Sequence, residues 1–171
     1  MAQTRAMPRK RRRKSRYKTG TYTSPKCKTP VEYRSGWELQ VVKYLDYDET
    51  VLEFGYECVV IPYVANATTG KVRSYYPDFL ITYKDGTKKL VEVKRKDKLN
   101  DIKVMKKAKA AEAWCVKQKP KVKYEFWTDT MIEAFTKINE SMEPPPPVIP
   151  PTLKKQVQAL AKKRAPRVPK K

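Results

Sequence analysis

The sequence predicts an α/β domain whose mixed sheet is flanked by helices, in the order α-β-β-β-α-β-α. Three observations carry that reading. Apolar residues recur at helical spacing from Ser35 onward, with Trp37, Val41, Tyr44 and Leu45 three or four positions apart. Two strand patterns between 75 and 96 flank Lys84-Asp85-Gly86, a turn-forming triplet. A long helical segment at 99–118 then separates those strands from a further one at 121–129. A helical crossover of that length makes the last strand parallel to one of its neighbours.

Taken in order, residues 1–30 contain PRKRRRKSR and little to bury, so they read as a basic arm preceding a domain at 31–142. Within the domain the first helix starts at Ser35 and ends near Asp46. Residues 51–64, VLEFGYECVVIPYV, are rich in β-branched and aromatic residues and read as one strand. NATTGK is a turn, and the hairpin of 75–96 supplies the next two strands. Pro120 ends the long helix, KVKYEFWTD alternates as a fourth strand, and TMIEAFTKINESM closes the domain as a helix. EPPPPVIPP then favours an extended polyproline segment, opening a basic C-terminal tail at 143–171. In that tail Leu153, Val157 and Leu160 give a short helix with a thin apolar stripe, readable as a solvated tail or as a docking or DNA-contacting helix.

The formal net charge of +21 sits in the two ends. Residues 1–30 hold eleven Lys/Arg and no acid, and 143–171 hold eight Lys/Arg and one Glu. The segment between them carries 20 basic against 17 acidic residues, a balance of only +3. A near-neutral domain with two cationic arms suits a polyanion, nucleic acid first, with Arg9, Lys10, Arg11, Arg12, Arg13 and Lys14 as the densest phosphate-binding run. No apolar run approaches the roughly 20 residues of a membrane span, and the charged start is not followed by the apolar segment of a secretory signal. A membrane is therefore not an expected partner.

The chain has no histidine, which excludes Ser-His-Asp and Cys-His catalysis and every metal site built on imidazole. Cys27, Cys58 and Cys115 are odd in number and widely spaced, arguing against a disulfide framework and for a reducing compartment. Any enzyme here must work with carboxylates, lysine and a hard cation. Mg²⁺, or Mn²⁺, fits, because such ions take oxygen ligands and use few carboxylates plus water and phosphate oxygens. No small-molecule cofactor is expected.

The hairpin supplies the carboxylates. Asp and Glu are depleted in strands, and a buried charge without a partner is costly, so Asp78 and Glu92 at strand positions need an explanation. With a three-residue loop closed by Gly86 in the left-handed conformation, Tyr83 pairs with Thr87 and paired residue numbers sum to 170. Asp78 then stands opposite Glu92, and Lys94 follows on the same face at the strand period of two. A two-residue Asp-Gly turn would instead pair Asp78 with Val93 and aim the two carboxylates at opposite faces.

Tyr76-Pro77-Asp78, thirteen residues, then Glu92-Val93-Lys94 resembles the PD-(D/E)xK nuclease signature, and the element order is similar to that superfamily's restriction-endonuclease-like core. The resemblance implies that Asp78, Glu92 and the Val93 carbonyl hold one or two divalent ions while Lys94 positions the attacking water and stabilises charge. Phosphodiester cleavage needs just such a lowered water pKa and cations beside the developing negative charge. The competing reading is an edge hairpin with solvated charges on its outer face.

Ser35-Gly36-Trp37-Glu38 is a capping box, in which Glu38 bonds back to the backbone of Ser35. In the nuclease superfamily a first-helix glutamate often completes the metal site, and YRSGWELQVVKYLD closely resembles the corresponding segment of phage head-completion nucleases. The cap needs no catalysis, but the resemblance favours the metal-site role for Glu38, whose side chain is then expected to point toward Asp78 rather than fold back on Ser35. The same stretch is similar, less closely, to transposon-end endonucleases. Arg34 would contact the scissile phosphate or be solvated, and Arg95 and Lys96 would line the rim of the site as phosphate contacts. The resemblance implies a DNA endonuclease acting in phage head completion, among other head or neck proteins, in the virion or in the host cytoplasm during assembly. A transposon-end or junction-cleaving nuclease and a non-catalytic DNA-binding virion protein stand as alternatives.

Overall fold

A computed structural model describes residues 17–142. Its elements are β1 (Gly20–Tyr22), β2 (Val31–Tyr33), α1 (Gly36–Tyr47), β3 (Val51–Tyr56), β4 (Ile61–Asn66), β5 (Lys71–Tyr75), β6 (Phe79–Tyr83), β7 (Lys88–Val93), α2 (Ile102–Val116), β8 (Val122–Trp127) and α3 (Asp129–Met142). A single 3₁₀ turn, Lys96–Lys98, leads from β7 toward α2.

The central sheet has the order β3-β6-β7-β8. β6 pairs antiparallel with both β3 and β7, whereas β8 runs parallel to β7, as a helical crossover through α2 requires. Alternation along the strands divides the core between the two faces. Phe79, Ile81, Val91 and Trp127 pack with Val41, Val42 and Leu45 of α1 and Ile132 and Phe135 of α3. Leu90 and Val122 point the other way, toward Ala111 and Cys115 of α2 and toward Ile61 and Tyr75 of the β4–β5 ribbon. The result is an α/β/α layering with one apolar cluster on each side of the sheet.

On the first side, Phe135 stacks on Tyr44 at 4.0 Å between ring centroids and meets Trp127 edge-on at 5.0 Å, so three elements share one aromatic contact. Asn139, buried in α3, donates to both the backbone and side-chain oxygens of Gln40, tying α3 to α1.

Two expectations are corrected. Residues 51–64 form two strands in different sheets rather than one, because the chain turns at Glu57, which adopts φ 44°, and pairing resumes only at Ile61. The β4–β5 ribbon that results includes a strand at 71–75 that composition did not reveal. Residues 17–30, expected in the N-terminal arm, are part of the fold. β1 pairs with β2, Ser24 donates to Asp46, and the Lys26 ammonium donates to the carbonyls of Leu45 and Asp48 at 2.9 and 2.7 Å. A lysine placed there satisfies carbonyls that the end of α1 leaves open and complements the negative end of its dipole. Arg9, Lys10, Arg11, Arg12, Arg13 and Lys14, and the tail at 143–171, lie outside the described residues. Among the described residues no helix is long and apolar enough to cross a membrane.

The Lys26 clamp gives a direct test. Lys26→Met should lower the urea-unfolding free energy by about 1–3 kcal/mol, the usual value of charge-assisted hydrogen bonds removed from partly buried carbonyls. Lys28→Met, on a side chain 90% exposed, should be close to neutral. Equal effects from the two would show that the clamp contributes nothing specific.

Candidate active site

The hairpin adopts the register that brings the carboxylates together. Phe79 pairs with Val91, Leu80 with Leu90, Ile81 with Lys89 and Thr82 with Lys88. Tyr83 N donates to the Thr87 carbonyl at 2.9 Å, and Gly86 closes the loop at φ 84°. Extending that register by one step sets Asp78 across from Glu92. The Asp78 carboxylate reaches the opposite strand, accepting from Val93 N at 2.6 Å.

Glu92 is 5% exposed, and its two oxygens have different partners. The Lys94 ammonium is 2.8 Å from Oε1, and the Tyr75 hydroxyl donates to Oε2 at 2.8 Å. Tyr75 in turn lies 3.1 Å, hydroxyl to hydroxyl, from Tyr124 on β8. Burial opposes the Lys94 charge, but the Glu92 carboxylate, with Asp78 and Glu38 adding, raises its pKa above the ordinary lysine value. The Asp78 carboxyl is pushed up to about 8, first by burial and then by the negative charge of Glu92, which outweigh the Val93 N–H and Lys94. Two facing carboxylates with a single ammonium between them are therefore short of positive charge.

Glu38 is turned onto the start of α1. It accepts from Ser35 Oγ at 2.7 Å and from Arg34 N at 2.9 Å, while its own N–H is capped by Ser35 Oγ at 3.2 Å. The reciprocal bond thus goes to the backbone of Arg34, one residue earlier than the capping box predicts. The Tyr56 hydroxyl also donates to Glu38 at 2.7 Å. Arg34 stays exposed at the surface, where its guanidinium forms a two-pronged pair with Glu57 at 2.9 and 3.0 Å. The Glu57 N–H, held at positive φ, donates to the Asp78 carbonyl at 2.9 Å. Tyr56 and Glu57 therefore join the N-terminus of α1 to the backbone of Asp78.

The structure brings Asp78, Glu92 and Lys94 together, but Glu38 folds back on Ser35 and Arg34 instead of turning toward Asp78 as expected, because the open N–H of Arg34 and the Ser35 and Tyr56 hydroxyls all donate to it there. Among the described residues no three His, Cys, Asp or Glu side chains converge. Two carboxylates and a strand-end carbonyl still form an all-oxygen donor set, which fits a hard cation completing its shell with water, as Mg²⁺ commonly does. Beside them lies a groove of about 560 Å³ lined by Lys18, Glu38, Val93, Lys94, Arg95 and Lys98, among others. Arg95 in this groove pairs with Asp97 at 3.0 Å, and Lys96 N donates to Asp129 at 3.0 Å.

Three residues were not singled out as site residues by sequence reasoning. Tyr75 is 1% exposed, and its hydroxyl orients Glu92. Tyr56 and Tyr124 hold Glu38 and Tyr75 in the same way. The available signal was a tyrosine, rather than a phenylalanine, at three inward strand positions, since a buried tyrosine hydroxyl needs a partner.

Without a divalent cation the carboxylate pair should cost stability. Asp78 has a folded-state pKa above its unfolded value, so the folded form binds its proton more tightly. Stability from this group is complete below about 3.8 and is lost as the pH rises toward about 8. In EDTA above about pH 8, Asp78→Asn, which keeps an acceptor for Val93 N, should therefore be more stable than wild type by over about 1.4 kcal/mol, the value of one pKa unit. The gain should vanish near pH 4 in urea-unfolding measurements. A destabilised Asn variant at the higher pH would refute the electrostatic account.

Comparison with known proteins bears on the fold. Residues 48–129 match the family model described as TnsA-like endonuclease N terminal. A second similarity is to the head completion nuclease of Enterobacteria phage T4, at 36% identity over 66 residues, 39% of this chain. That match spans 43% of the phage protein, less than half its length. The chain thus has a restriction-endonuclease-like fold and is similar to nucleases of these two kinds.

Proposed function

We propose that this protein is a divalent-metal-dependent DNA endonuclease of the phage head-completion type, processing or trimming DNA ends as heads mature. The observation that carries the reading is the convergence of Asp78 and Glu92 at one end of the hairpin with the Lys94 ammonium 2.8 Å from Glu92. Asp78, Glu92 and the Val93 carbonyl would hold the cation, Mg²⁺ or Mn²⁺. When bound, it supplies a water of lowered pKa and positive charge beside the scissile phosphate.

The remaining work falls to side chains of this chain. Lys94 stands where an ammonium steadies the charge that develops on the phosphate oxygens, and its raised pKa keeps it cationic. Tyr75 fixes Glu92 from behind, so that the carboxylate keeps its orientation when Lys94 turns to a substrate. Glu38 adds negative potential felt at Asp78 and, through the cap, sets the position of α1 beside the groove. Lys18, Arg95 and Lys98 give the groove the charge a DNA backbone requires. The arm residues Arg9–Lys14 and Lys96 would extend that phosphate-binding surface.

A transposon-end or junction-cleaving nuclease is a second reading, favoured by the TnsA-like match over residues 48–129. A non-catalytic virion protein retaining the site would share the fold but not the chemistry.

A plasmid-cleavage assay tests the chemistry: cutting should require Mg²⁺ or Mn²⁺, Asp78→Ala should abolish it, and Glu38→Gln should slow it at least tenfold while shifting the melting temperature little. Cutting that survives Asp78→Ala would remove this site from the reaction. Mass spectrometry of purified phage particles and head-assembly intermediates tests the context, since a head-completion protein should be found there. Its absence from both would leave the transposon-type reading.

A further inference from the structure

The β4–β5 ribbon stands outside the central sheet and has a charge pattern of its own. Ile61 pairs with Tyr75 and Tyr63 with Arg73, and this face packs on α2. Where it meets α2, Lys71, Arg73, Lys103 and Lys106 gather around a hollow of about 320 Å³ whose other lining residues are Tyr63, Ala65 and Asn66. No carboxylate lines the hollow. Lys106 donates to the Ala65 carbonyl at 3.0 Å. None of the four cations takes part in an ion pair among the described residues, although Lys89 and Lys123 share Glu125 and Arg95 has Asp97.

Four like charges around one hollow repel one another, and a fold needing only solubility would intersperse acids among them, as this one does elsewhere. The arrangement suits a ligand with regularly spaced negative charge. The ribbon also leads straight to the candidate site. Tyr75, its last residue, holds Glu92, and Asp78 follows three positions later. A strand advances about 3.3 Å per residue, which sets Arg73 and Lys71 roughly 7 and 13 Å from Tyr75 along β5. That distance is about two and four nucleotides of a DNA strand at about 3.4 Å each.

We propose that Lys71, Arg73, Lys103 and Lys106 form a backbone-binding surface for duplex DNA, gripping phosphates a few nucleotides from the bond held at Asp78 and Glu92. The inference rests on the nuclease reading for the identity of the polyanion. A phosphate grip of this kind carries register and affinity without sequence preference.

The test uses the full chain and a short duplex in EDTA, where no cleavage interferes. Binding is followed by fluorescence anisotropy across a KCl series. The triple variant Lys71→Gln, Arg73→Gln, Lys103→Gln alters only exposed side chains. It should flatten the slope of log K against log salt by about 2 to 3, since each phosphate left without its cation removes about 0.9 from the slope. A charge-matched control, Lys84→Gln, Lys117→Gln, Lys137→Gln, should flatten it by less than about 1 on the same scale. An unchanged slope in the ribbon variant overturns the proposal and favours an acidic protein partner; equal flattening in both variants overturns it as a general effect of net charge. Wild-type protein that fails to cut plasmid would count against the nuclease reading alone, because the salt slopes are measured without chemistry.

Discussion

The β6–β7 hairpin closes through Gly86 at φ 84°, and the register fixed by that closure decides which residues of the two strands share a face. A slip of one residue would turn Glu92 toward the α1–α3 side, where Val91 and Phe79 now pack, and would separate it from Asp78 and Tyr75. The register is held from both ends. Tyr83 and Thr87 close it at the turn, and the Asp78 side chain closes it at the open end by accepting from Val93 N. The apolar alternation of Phe79 and Ile81 against Leu90 and Val91 then makes any other register bury charge.

From that register follows the electrostatic character of the site. Glu92 is buried because Leu90, its neighbour on the same face, sits in the α2-side core, and a buried carboxylate must be hydrogen-bonded or paired. Tyr75 and Lys94 meet that need for Glu92. Asp78 accepts a backbone N–H, but burial first and then the charge of Glu92 outweigh it and push its carboxyl upward. The imbalance is confined to one residue at the strand end and is the kind of local cost that persists at functional sites.

The sequence made the hairpin legible because turn chemistry and strand period are local, and it made α1 legible because Ser35 and Glu38 form a recognisable cap. The parallel placement of β8 followed from the length of the helix before it. What stayed hidden depended on neighbours distant in sequence. Residues 51–64 are rich in β-branched and aromatic residues on both sides of Glu57, so composition does not single it out as the place where the chain leaves one sheet for another; its partners there are Arg34 and the Asp78 carbonyl. Lys26 reads as one more arm cation until α1 presents it with the open carbonyls of Leu45 and Asp48. The roles of Tyr56, Tyr75 and Tyr124 were hidden for the same reason, since a hydroxyl's partner is a tertiary fact. Glu38 was legible as both cap and candidate ligand; the ligand role was favoured, yet its side chain takes up the cap, where local donors reach it first.

Placing the carboxylates where the strands end, rather than at their centre, reconciles the stability of the sheet with a charged site. At the centre of β6 or β7, both faces are covered by helices or by the ribbon, and an Asp there would have neither water nor a groove beside it. At the end, Asp78 is attached to three neighbouring segments at once: β7 through Val93, β3 through Glu57, and the ribbon through the two residues that separate it from Tyr75. The site is therefore rigid in its backbone, while one side remains open to a groove lined by Lys18, Lys94, Arg95 and Lys98. A ligand bringing both a cation and a phosphate would supply the charge Asp78 lacks and find the groove cations already arranged. The same strand ends that stop the hydrophobic core thus begin the polar surface on which chemistry can occur.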